Sequence, residues 1–142
     1  MEARALHPLA VVEDSDEDFE ALSRVLRETT SSEGVRRYAS GEDALAGLLE
    51  GSDTRPALII LDLNLPGIRG MEVLAALKGD PRVRMVPVIV LSGSSREEDV
   101  DAAYAAGANA YLSKPLDFTE LRRTVLSMHE FWRIAALPGK GE

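Results

Sequence analysis

Short apolar runs alternate with amphipathic stretches along the chain. The runs are Leu9 to Val12, Val35 to Tyr38 (the weakest), Ala57 to Leu61, Val86 to Leu91 and Ala110 to Leu112. They are too short for apolar helices, so five strands are predicted. Between them, apolar residues recur three and four apart: Phe19, Leu22 and Leu26; then Ala44, Leu45, Leu48 and Leu49; then Met71, Leu74 and Leu77. That spacing predicts helices that turn one face inward. A fourth helix is expected from a capping pattern, Ser95 with Glu98, through Val100, Ala103 and Tyr104 to a stop at Gly107. A fifth is expected over about 117–136, opening at Asp117 with Glu120. Strands that are apolar throughout and alternate with helices imply an α/β fold: a five-stranded, doubly wound parallel sheet with helices on both faces.

The 142 residues, 45% of them hydrophobic, suit one domain with a core of its own. The domain is expected over 7–137. Pro138 and Gly139 stop the last helix, and 138–142 reads as a short polar tail with no output domain. The absence of cysteine excludes a disulfide framework, a thiolate metal site and a cysteine nucleophile. Neither a signal peptide nor an apolar run of the roughly 18 residues needed to span a membrane is present, so a cytoplasmic protein without membrane contact is expected. A formal charge of -8 argues against binding the phosphate backbone of nucleic acid. The pairs Arg36-Arg37 and Arg122-Arg123 read as solvated faces.

Ligands of open parallel sheets bind beyond the carboxyl ends of the strands. Those ends carry Glu13-Asp14, Asp62, Ser92 and Ser113-Lys114, a set of three carboxylates, a hydroxyl and an ammonium. Crowded carboxylates repel one another, and a hard divalent cation relieves the repulsion; Mg2+ takes one or two carboxylates and keeps several waters. If one carboxylate attacks a phosphoryl group, the others are left to hold the metal. The lysine then offsets charge on the phosphoryl oxygens, and the hydroxyl donates to another of them. The acidic run Asp16 to Glu20 reads as a solvated helix N-terminus.

With Val11-Val12-Glu13-Asp14-Ser15, Leu61-Asp62-Leu63-Asn64-Leu65-Pro66-Gly67, Val90-Leu91-Ser92-Gly93 and Leu112-Ser113-Lys114-Pro115, the chain resembles the response-regulator receivers over nearly its whole length. The resemblance implies the flavodoxin-like strand order 2-1-3-4-5, a sensor histidine kinase as partner, and Asp62 as phosphoacceptor. It implies a Mg2+ site formed by Asp14, Asp62 and the backbone carbonyl of Asn64, with Glu13 acting through water. It also makes Lys114 the phosphoryl-facing cation, Ser92 the switch hydroxyl and Tyr111 the switch aromatic. Two departures stand out: Glu-Asp replaces the commoner Asp-Asp, and Ser92 replaces a threonine, leaving a less restricted rotamer.

Leu121, Val125, Met128 and Trp132 form a stripe that should face the sheet, while Phe131, Ile134 and Leu137 carry apolar character onto other faces. Phe131 and Trp132 are expected at an interface. The tail resembles the single-domain receivers that partner bacterial phytochrome kinases and dimerise through the fourth helix, fifth strand and fifth helix, so a homodimer is expected. Three other readings compete. A flavodoxin-like cofactor binder is opposed by the acidic first loop. A phosphatase with an aspartate nucleophile needs a second aspartate where Asn64 stands. A pseudo-receiver that is never phosphorylated is opposed by the complete set Asp14, Asp62, Ser92 and Lys114.

Overall fold

The computed structural model describes residues 6, 8–29, 34–51 and 53–138, so the expected domain start at His7, the helix stop at Gly139 and most of the tail lie outside the described residues. Five strands form one sheet: β1 (Leu9–Val12), β2 (Val35–Tyr38), β3 (Leu58–Leu61), β4 (Val88–Ser92) and β5 (Ala110–Ser113). All pairs are parallel and the order is β2-β1-β3-β4-β5. Every residue of β1, β3 and β4 is buried. Alternate positions serve two cores. Ala10, Val12, Ile59, Leu61, Val88 and Val90 face one, and Leu9, Val11, Leu58, Ile60, Ile89 and Leu91 face the other. Burial on both faces is what makes these runs continuously apolar. Strands β2 and β5 are sheet edges and only partly buried, which is why the second run is weak in sequence.

The first core is covered by α2 (Gly41–Leu45), which continues into a π-helical stretch, Ala46–Glu50, and by α3 (Gly70–Gly79) and α4 (Glu97–Ala105). The second is covered by α1 (Asp16–Leu26) and α5 (Phe118–Ile134) through Leu22, Val25, Leu26, Leu121, Val125 and Met128. The cap of α1 is Ser15, whose hydroxyl accepts the Asp18 N–H at 3.2 Å, and that of α5 is Asp117, accepting from Thr119 at 2.8 Å. Ser95 does not cap the fourth helix. Helix α4 begins at Glu97 after Arg96, and Ser94 organises the turn instead: its hydroxyl donates to Asp99 and accepts the Arg96 N–H. Strand β4 opens at Val88 rather than Val86, because the Val86 N–H turns back to the Val83 carbonyl. Helix α5 agrees with expectation to within two residues. Trp132 is only half-buried, unlike Leu121, Val125 and Met128, and Phe131 and Ile134 are exposed. Among the described residues no helix is long and apolar enough to cross a membrane.

Candidate functional site

Hydrogen bonding continues one residue beyond β1 and β3. The Glu13 N–H donates to the Tyr38 carbonyl and the Asp62 N–H to the Val12 carbonyl, both at 3.1 Å. This carries both side chains to the same edge of the sheet, between strands whose connections run in opposite directions across it. Glu13, Asp14 and Asp62 each bring a carboxylate oxygen within 4.8 Å of the others; Glu13 and Asp62 are buried and Asp14 is exposed. Lys114 leaves β5 with its N–H on the Ser92 carbonyl. Its Nζ lies 2.8 Å from Glu13 Oε1, 2.9 Å from Asp18 Oδ2 and 3.4 Å from Asp62 Oδ2. Asp62 Oδ1 accepts the Asn64 N–H at 3.0 Å, and Glu13 Oε2 accepts the Ser15 N–H at 3.1 Å.

Burial raises the Glu13 carboxyl to about 7; the hydrogen bond from Lys114 opposes this and the charge of Asp62 adds to it. For Lys114, burial alone favours the neutral amine, but the hydrogen bonds to Glu13 and Asp18 and the nearby charge of Asp62 outweigh it and raise its pKa. One ammonium among four carboxylates leaves a surplus of negative charge. Oxygen donors, surplus charge and an open side at Asp14 suit a hard divalent cation.

The sequence-expected residues are brought together in two groups. Glu13, Asp14, Asp62 and Lys114 form the acidic pocket, with Asn64 at its rim. Ser92 and Tyr111 belong to an adjoining cavity of about 680 Å3, which Asn64, Arg69 and Met71 also line. There Ser92 is buried at 3% exposure, its Oγ accepts the Ser94 N–H at 3.3 Å, and the Tyr111 hydroxyl donates to the Ser94 carbonyl at 2.8 Å. Phe131 and Trp132 stand apart from both. Their rings meet edge to face at 5.1 Å beside a groove of about 500 Å3 between β5 and α5.

Two residues assigned to solvated faces make specific contacts at the site, Asp18 while remaining exposed and Arg37 while half-buried. Asp18 pairs with Lys114, and the sequence signal was a carboxylate one helical turn beyond the acidic pair. Arg37 binds the carbonyls of Glu13 and Asp14 and the Asp16 carboxylate, and its signal was a charge inside an otherwise strand-like run. Arg36 is also engaged, donating to the Thr54 carbonyl at 2.8 Å. Gly70, at the start of α3, is a further requirement: a Cβ there would lie 2.3 Å from Leu63 Cα and 2.6 Å from the Asp62 carbonyl oxygen.

The family model described as the response regulator receiver domain matches residues 9–126. The chain belongs to the response regulator receiver family. This receiver is 37% identical over 128 residues to Response regulator Rcp1 of Synechocystis sp., covering 87% of each chain. Its structure is similar to that of the phosphorylated cyanobacterial phytochrome response regulator RcpA, with a TM-score of 0.89 at 36% identity, over 95% of this chain and 100% of that one. The Mn2+-bound form of Rcp1 gives a TM-score of 0.86, also at 36% identity, over 94% and 99% of the two chains. The receiver therefore has the flavodoxin-like order expected from sequence, and its relatives include phytochrome-associated response regulators.

Proposed function

We propose that this receiver accepts a phosphoryl group on Asp62 from the phosphohistidine of a sensor kinase, in a reaction that requires Mg2+. The observation that carries the reading is the bridge formed by Lys114 Nζ between Glu13 and Asp62, inside a cluster of three carboxylates. As the P–N bond of the donor breaks, an oxygen of Asp62 forms the new bond to phosphorus. Lys114 is within reach to take up charge on a phosphoryl oxygen, and Ser92 supplies a hydroxyl from the neighbouring strand. Asp14 and Asp62, with the backbone carbonyl of Asn64 and with Glu13 through water, would hold Mg2+, which when bound neutralises charge on the transferred group. The Mn2+-bound state of Rcp1 supports a divalent ion here. The protein works as a switch rather than as an enzyme that turns over an external substrate.

Phosphorylation would alter the face built from α4, β5 and α5, because the Ser94 backbone links Ser92 to Tyr111 and the Ser94 hydroxyl links to Asp99 on α4. A homodimer through that face is supported by Phe131 at 59% exposure beside the half-buried Trp132. A kinase of the bacterial phytochrome type is supported by the similarity to RcpA, a cyanobacterial phytochrome response regulator. Incubation with acetyl phosphate, with and without Mg2+, followed by intact-mass measurement tests the central reading. One added phosphoryl group in Mg2+ alone is expected; an unmodified chain under both conditions would leave a pseudo-receiver.

A further inference from the structure

We propose that Arg37 is a positioning residue for the loop that carries Glu13 and Asp14, two of the three acidic side chains of the metal site. The proposal rests on the reading of that site as a Mg2+ site. Arg37 lies on β2 opposite Val11, so its side chain reaches past the end of β1. Beyond that end the Glu13 and Asp14 carbonyls follow the last strand position, and one guanidinium takes both. Nε and Nη2 of Arg37 donate to the Glu13 carbonyl at 3.1 and 3.0 Å, and Nη2 donates to the Asp14 carbonyl at 3.2 Å. Nη1 pairs with Asp16 Oδ1 at 2.8 Å, at the first residue of α1. The flat face rests on Phe19, with 4.8 Å from Cζ to the ring centroid. With its side chain only 24% exposed, Arg37 ties β2, the acidic loop and the start of α1 into one unit.

The consequence is preorganisation. A metal ion that draws on Asp14 gains most if the Asp14 backbone is already ordered, and groups that hold metal ligands in place commonly change metal affinity by 10- to 100-fold when altered. Lysine cannot replace this clamp, because a single ammonium does not present the planar fork that serves two carbonyls and a carboxylate together. Charge and geometry therefore make opposite statements. If only the charge of Arg37 mattered, Arg37→Lys would bind Mg2+ as the wild type does, and Arg37→Met, with one cation fewer near the site, would bind it more tightly. The clamp requires weaker binding in both.

The test is calorimetric titration of the unphosphorylated protein with Mg2+, alongside thermal melting in its absence. Arg37→Lys and Arg37→Met are expected to weaken binding by about 10-fold. Arg36→Lys, on the same strand but directed to Thr54 and Tyr38, is expected to stay within about twofold of wild type. Wild-type affinity in folded Arg37→Lys, or tighter binding in Arg37→Met, would overturn the proposal. If neither variant folds, Phe19→Leu removes the ring beneath the guanidinium without changing charge; about threefold weaker binding supports the clamp, and unchanged affinity rejects it. Failure of the underlying reading looks different: a wild-type protein that binds no Mg2+, or an Asp14→Ala variant that binds it equally well.

Discussion

Gly70→Ala adds one methyl group where helix α3 meets the phosphoacceptor loop. The Gly70 N–H donates to the Leu63 carbonyl at 3.2 Å, which seats the first turn of the helix directly against that loop. A Cβ at this position would lie 2.3 Å from Leu63 Cα, 2.6 Å from the Asp62 oxygen and 2.9 Å from the Leu63 carbonyl carbon. All three neighbours are backbone, so no side chain can swing aside, and helix and loop must part by roughly 1 Å to restore ordinary contact. Overpacking costs about 1–3 kcal/mol, and a backbone collision belongs at the upper end. The better helix propensity of alanine returns at most about 1 kcal/mol. A net loss of about 2 kcal/mol should lower the melting temperature by roughly 6 °C for a chain of this size. Because the displaced atoms belong to Asp62 and Leu63, the rate of phosphorylation by acetyl phosphate should fall at least about 10-fold, since errors of about 1 Å are costly in a reacting geometry. Gly79→Ala is the control: its Cβ would meet nothing within 4 Å, so it should be neutral or stabilising by up to about 1 kcal/mol. A Gly70→Ala protein that melts and phosphorylates like the wild type would refute the steric argument.

Other expectations concern metal, pH and assembly. Asp14→Ala should weaken Mg2+ binding by at least about 10-fold in calorimetry, and an unchanged constant would count against the ligand assignment. Without metal, Glu13 titrates near 7 when folded against 4.5 when unfolded. The folded chain therefore holds the extra proton, and the resulting stability is fully present below about 4.5 and is lost as pH rises through about 7. His129 acts in the opposite sense. Burial lowers its pKa, repulsion from Arg133 adds to this, Glu130 partly offsets it, and Nε2 has no partner among the described residues. Its stability contribution is therefore complete above about 6.5 and declines as pH falls below that value. Urea midpoints at about pH 5.5 and 7.5 should show that Glu13→Gln removes the first dependence and His129→Leu the second; a wild-type pH profile in either variant contradicts its assignment. Phe131→Ala removes apolar area from both halves of a two-fold interface, about 2 kcal/mol in total, so light scattering should give a dimer dissociation constant raised roughly 30-fold. A wild-type constant would remove Phe131 from the interface.

What the sequence made legible is what depends on local pattern. The central strands are buried on both faces, so their apolar runs are continuous, and the residue after each run marks the carboxyl edge where Glu13, Asp14, Asp62 and Lys114 meet. The roles of Asp18 and Arg37 were hidden because their partners come from distant parts of the chain. Asp18 and Lys114 are 96 positions apart, and a carboxylate in an acidic run carries no local mark of such a pair. The cap expected at Ser95 does not form: α4 starts after Arg96 with no side-chain cap, and Ser94 organises the turn because the loop after β4 is shaped by Ser92 and Tyr111 as well as by the helix it precedes. The π-helical stretch is equally non-local: Arg82 binds the Leu48 carbonyl, and Gly47 leaves room for the Tyr38–Asp53 hydrogen bond. Trp132 continues a helical stripe in sequence but lies half-exposed, packed with Leu137 against the second core rather than buried within it.

The central claim is that Asp62 carries the phosphoryl group. An acyl phosphate is reduced by borohydride to the corresponding alcohol, which leaves a permanent mark on the aspartate that held it. Protein phosphorylated with acetyl phosphate and Mg2+, reduced in this way and sequenced by peptide mass spectrometry, should carry the mark at residue 62 alone, and the Asp62→Asn variant should carry none. A mark at Asp14, or an undiminished yield in Asp62→Asn, would contradict the account.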